Sequence, residues 1–103
     1  MKLLNLVIDE YITIVEYLLE TEEVNGNRII IDRDIFKGLL EKYPYLKFNQ
    51  KTKIYKQLNF IIHEKNNYTM PCKDKTTGKV KRKVVINYET YNTIKYLQET
   101  NAT

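Results

Sequence analysis

The chain of 103 residues has one cysteine, one histidine, two prolines and three glycines. A single cysteine, Cys72, excludes an internal disulfide and fits a reducing cytoplasm. With only His63 beside it, a Cys–His dyad would need a tertiary proximity that nothing in the sequence signals. There is no CxxC pair, no His/Cys cluster and no acidic loop of calcium spacing, so no metal is expected. Gly26, Gly38 and Gly78 are too scattered for a glycine-rich phosphate loop. The N-terminal apolar run is broken by Asp9, Glu10 and Glu16, which excludes a signal peptide and a membrane span. Acidic neighbours Asp9/Glu10 and Glu22/Glu23 spread around a helix and do not converge. The expectation is a non-enzyme without cofactor.

What the chain does have is a globular profile, 43% apolar and 29% charged, at the size of one ordinary domain spanning 1–103. The net charge of +4 is unevenly distributed. Residues 1–36 hold eight carboxylates against Lys2, Arg28 and Arg33, whereas residues 37–83 hold thirteen basic and three acidic residues. Such segregation suggests that one half faces a polyanion and the other faces solvent or protein. Lysines outnumber arginines fourteen to three, in part a mark of AT-rich coding, so position weighs more than count.

Periodicity predicts a helix over residues 3–23, with Leu4, Val7, Ile8, Tyr11, Val15, Leu18 and Leu19 on its apolar face. Leu3, Leu6, Ile12 and Ile14 widen that face until it could cover a core or meet a partner chain. The turn at Val24–Asn27 leads to a short strand, Arg28–Ile31. Asp32 is placed to cap a second helix through its carboxylate, with Ile35, Phe36, Leu39, Leu40 and Tyr43 at helical spacing and Pro44 as the stop. Asn49 is expected to cap a third helix running to about Lys65, with Ile54, Leu58, Ile61 and Ile62 inward and His63 near its end. A hairpin follows: Tyr68–Lys73, a Gly78-bearing loop, and Val80–Tyr88. A last helix from Glu89 to about Glu99 places Tyr91, Ile94 and Leu97 on one face. This order, helix, strand, two helices, hairpin, helix, predicts an α+β winged helix-turn-helix.

Two basic elements then stand out. Lys73, Lys75, Lys79, Lys81, Arg82 and Lys83 crowd the hairpin, where alternation would send Lys79, Lys81 and Lys83 to one face. A cationic ribbon of this kind can follow a phosphate backbone, and the competing view is a solvated hairpin that discourages edge aggregation. The third helix begins Asn49-Gln50-Lys51-Thr52-Lys53-Ile54-Tyr55-Lys56, and in a winged helix this is the element that meets DNA. Lys51, Lys53 and Lys56 are candidates for phosphates, and Tyr55 for stacking an unpaired base. The absence of arginine there argues for backbone-dominated binding. Tyr43, Tyr45 and Tyr68 also interleave with the basic block, and Tyr43 and Phe48 are expected to pack inside.

The Lys51-Thr52-Lys53-Ile54-Tyr55 helix start, the Thr76-Thr77-Gly78-Lys79 wing and the lysine/tyrosine-rich composition resemble the small winged-helix proteins encoded beside replicative helicases on staphylococcal cassette chromosome elements. That resemblance implies single-stranded DNA binding in replication of a mobile element, with no cofactor. A neighbouring small protein of such elements instead partners a polymerase.

The leading expectation is therefore a cytoplasmic, largely sequence-independent single-stranded DNA-binding protein for replication or recombination. The rivals are a duplex-binding winged-helix regulator and a small subunit that docks to a polymerase or helicase through the N-terminal helix. Whether that helix also builds a homodimer stays open.

Overall fold

The computed structural model describes residues 2–101, which fold in the order α1 (Lys2–Thr21), β1 (Arg28–Ile31), α2 (Arg33–Glu41), α3 (Phe48–Gln57), β2 (Ile61–Ile62), β3 (Met70–Lys73), β4 (Val80–Asn87) and α4 (Tyr88–Asn101). The class is α+β, with four helices around a small antiparallel sheet among the described residues. None of these helices is long and apolar enough to cross a membrane.

Of the apolar face expected on α1, Val7, Tyr11, Val15 and Leu18 are buried, Ile8 and Leu19 are half-buried, and Ile14 from the widened face joins the buried stripe. Glu10 lies buried in the same stripe. Leu4, expected on that face, is exposed, as are Leu3 and Leu6 of the widened face. A turn at Asn25–Arg28 reverses the chain, closed by paired backbone bonds of 2.9 and 3.1 Å and opened to a left-handed geometry at Gly26 (φ +63°).

β4 is the central strand. Its second half pairs with β1 (Ile29↔Ile86, Ile31↔Val84) and with β2 (Ile61↔Ile86), and its first half pairs with β3 (Met70↔Lys83, Lys73↔Val80). The cross-strand set Ile29, Ile31, Val84 and Ile86 points into the core, as the period of two requires. Below it, Phe36 of α2 meets Phe48, Tyr55 and Tyr68 at centroid distances of 5.8–6.2 Å. Tyr11 stacks on Phe60 at 3.9 Å, and its hydroxyl donates to the Asn87 carbonyl.

Several local expectations need correction. Asp32 stands at the N-cap of α2, but its carboxylate makes no capping bond and lies 3.4 Å from the Lys83 ammonium. The N-cap of α3 is Lys47, not Asn49, and its backbone N–H donates to the Gln50 side chain at 3.1 Å. Most consequentially, α3 ends at Gln57, eight residues before Lys65. Asn59 adopts a left-handed backbone (φ +58°), the Phe60 N–H donates to the Tyr55 carbonyl at 2.9 Å, and the Asn59 N–H donates to the Lys56 carbonyl at 3.2 Å. This is a Schellman stop, completed by the apolar contact between Tyr55 and Phe60 (5.3 Å). Ile61 and Ile62 therefore form β2, and His63 follows a strand, not a helix.

The hairpin and last helix lie close to where they were read. Its first strand begins at Met70, not Tyr68. Gly78 takes φ +72°, while the Asp74 carboxylate accepts the Thr76 N–H at 2.8 Å; that bond holds its carboxyl below the usual range. The Asn87 side chain accepts the Thr90 N–H at 3.3 Å, capping α4. Tyr91 is buried and donates to Glu16 at 2.9 Å, whereas Leu97 is exposed.

Candidate nucleic-acid interface

The two faces of α3 do different work. Its core face carries Lys51, Thr52 and Tyr55, all buried. Lys51 is 1% exposed and Tyr55 0%, so neither meets a phosphate or stacks a base. Both earlier assignments are overturned for the same reason, which is Glu10. That carboxylate enters the core on the apolar stripe of α1 and needs partners, because an unpaired buried charge is very costly. The Lys51 ammonium supplies one at 2.6 Å, and the hydroxyls of Tyr55 and Tyr45 donate to the other carboxylate oxygen at 2.7 and 2.9 Å.

Lys51 spends its remaining donors on the carbonyls of Leu40, at 2.7 Å, and Tyr43. The Leu40 oxygen lies in the last turn of α2, which has no basic residue of its own, and the Tyr43 oxygen lies in the turn that follows. A helix C-terminus carries partial negative charge, so the ammonium both caps and neutralises it. The same ammonium sits 4.3 Å from the Tyr45 ring centre. No buried side-chain polar atom among the described residues lacks a partner. Burial, with Glu10 beside them, pushes the phenols of Tyr45 and Tyr55 well above the usual tyrosine range. The sequence did hold a signal for this knot: Glu10 and Lys51 each fall on an apolar stripe, where a charge demands a counter-charge.

The outer face of α3 presents Asn49, Gln50, Lys53 and Gln57 to solvent, with Lys56 half-buried beside them. Ile54 and Leu58, expected at the centre of the inner face, lie half-buried at its margin. Lys53 and Lys56 have no carboxylate within 4.0 Å among the described residues.

The hairpin divides its six basic residues differently. Lys81 pairs with Asp74 at 3.4 Å and Lys83 with Asp32 at 3.4 Å. Arg82 binds Glu64 and also donates to the Thr69 hydroxyl and carbonyl at 2.8 and 2.9 Å. Lys73 and Lys75 share an open cavity of about 410 Å³ with Glu22, Glu23 and Asp74. Lys79, at the end of the loop, stands exposed without an ion pair among the described residues. The tyrosines interleaved with the basic block are mostly engaged inside: Tyr68 packs on Phe48 at 5.4 Å, and Tyr43, expected inside, is the one among them that is exposed.

No protein-family model matches the sequence, and no curated protein resembles it at a significant level. The described residues contain no group of three or more His, Cys, Asp or Glu side chains arranged to hold a metal ion. The exposed lysines and amides of α3 and the hairpin offer charge and hydrogen-bond donors to solvent.

Proposed function

We propose that the protein is a winged-helix nucleic-acid-binding protein that grips the phosphate backbone with the outer face of α3 and the β3–β4 hairpin. Support for the winged helix comes from the strand order β1-β4-β2, with α2 and α3 between β1 and β2 and the hairpin formed by β3 and β4. The observation that carries the function is the division of α3. Its inner face is locked into the core through Lys51 and Tyr55, leaving a polar row of Asn49, Gln50, Lys53 and Gln57 outward. Such a row suits a duplex groove, where amides can meet adenine edges and lysines the phosphates. Single-strand binding draws on aromatic platforms, and Tyr55 is in the core, so the duplex reading is the better supported of the two. The resemblance to small replication-associated winged-helix proteins of mobile elements supports a place in replication or recombination.

Fluorescence anisotropy with a labelled random duplex and with oligo-dT, at low and physiological salt, tests this. The duplex should bind more tightly, with log affinity falling against log salt by about 0.9 for each phosphate neutralised. Tyr55→Phe should leave both affinities unchanged. Tighter oligo-dT binding that survives physiological salt would restore the single-strand reading. Absence of binding to either would turn attention to a protein partner.

A further inference from the structure

The early stop of α3 has a consequence for charge. Because Asn59 ends the helix and β2 runs back along the sheet, the segment after β2 brings His63 and Lys65 beside the C-terminal half of α3. Lys53, Lys56, Gln57, His63 and Lys65 together line an open cavity of about 310 Å³. Three lysines, a histidine and a glutamine line it, and no acidic residue does so among the described residues. The hairpin's lysines, by contrast, share their cavity with Glu22, Glu23 and Asp74.

Glu64 lies between His63 and Lys65 in sequence, and its side chain is held by Arg82 of β4, which is itself anchored on Thr69. Arg82 thus acts as a positioning residue that occupies the carboxylate between His63 and Lys65 in sequence. The His63 ring is also oriented. Its Nδ1 lies 2.7 Å from the Glu64 carbonyl oxygen. A carbonyl only accepts, so Nδ1 carries the hydrogen and Nε2 is the nitrogen that gains or loses a proton. Neutral, Nε2 offers a phosphate nothing; protonated, it offers a charged donor.

We propose that this cavity is a phosphate-binding subsite of the nucleic-acid interface, with His63 adding a contact that strengthens on acidification. The inference rests on the nucleic-acid reading above and names the residues that serve it. A phosphate would bring several acceptor oxygens and negative charge to three lysines that have no carboxylate within 4.0 Å among the described residues. The charged groups that bear on His63 are Lys53 and Lys56 from α3, Lys65 and Glu64 from its own segment, and Arg82 from β4 through Glu64. A bound phosphate favours the imidazolium, and by linkage the imidazolium favours the phosphate.

His63 is the chain's only histidine, so its ring signals in a proton–nitrogen NMR spectrum are unambiguous. Saturating duplex should shift those signals, and wild-type affinity at about pH 6 should exceed that at about pH 8 by several-fold more than in His63→Gln. Lys53→Gln with Lys65→Gln should abolish the ring response without changing the melting temperature. Blunt duplexes with and without a 5′-phosphate separate the two sources of the ligand. Equal responses assign the cavity to the backbone diester, and a response only to the phosphorylated end assigns it to a strand terminus. Duplex binding with a silent His63, and with the same pH ratio in His63→Gln, overturns the inference and leaves the proposed function standing. Ring shifts with inorganic phosphate, but with no nucleic acid bound, overturn the strand assignment and that function together. Silence toward both ligands overturns everything proposed for this face.

Discussion

Lys51 and Lys53 stand two residues apart on α3, and they belong to different parts of the protein's physics. Lys51 is enclosed by a carboxylate and two carbonyls, with a tyrosine ring alongside; Lys53 faces open solvent with no acid within 4.0 Å among the described residues. A formal charge count treats them alike. The structure separates a lysine that builds the fold from one that is available to a partner, and the hairpin repeats the lesson. Lys81, Arg82 and Lys83 have charged partners within the chain, whereas Lys79 has none among the described residues.

The sharpest way to break this contrast is Lys51→Met. Removing the ammonium leaves Glu10 buried without its counter-charge and strips a donor from the end of α2. We expect a loss of about 3–5 kcal/mol in urea unfolding. A cost below about 1 kcal/mol would mean that the knot adds no more than an ordinary neutral hydrogen bond.

An alkaline titration probes the same region more gently. Burial, followed by the Glu16 contact, raises Tyr91 from 10.0 to about 12, and burial chiefly raises Tyr11, Tyr45 and Tyr55 further. Unfolded tyrosines ionise near pH 10 while the folded ones stay protonated. Their contribution is therefore complete below pH 10 and lost as pH climbs through 12 and beyond. The urea midpoint should fall steadily above pH 10, in step with cooperative tyrosinate absorbance. A flat midpoint to pH 12 would contradict the tyrosine burial.

The smallest structural effect belongs to the outer lysines. Lys53→Gln combined with Lys79→Gln should leave the unfolding midpoint in place and lower duplex affinity, with the salt slope reduced by about two. A matching loss of stability would erase the distinction between the two classes of lysine.

The sequence was most legible where one periodicity ruled. The α1 stripe, the β-branched Arg28–Ile31 segment, the turn at Gly78 and the Tyr91 face of α4 all follow from spacing and turn chemistry. The end of α3 was not legible in that way, because Ile61 and Ile62 continue the helical spacing of Ile54 and Leu58. A single asparagine in a left-handed conformation decides against it. The site suffered from the same pair: Ile54 and Leu58 suggested an inner face, whereas the buried centre runs through Lys51 and Tyr55. Only tertiary contact with Glu10, forty-one residues away from Lys51, sets that rotation.

The enclosure of Lys51 also has a bearing on covalent chemistry. A lysine whose ammonium is hydrogen-bonded on every side and sealed from water is a poor nucleophile, so acylating reagents and acetyltransferases would find the other lysines first. Acetylation of the surface would then remove the charge on which the proposed nucleic-acid binding draws while the tertiary structure endured.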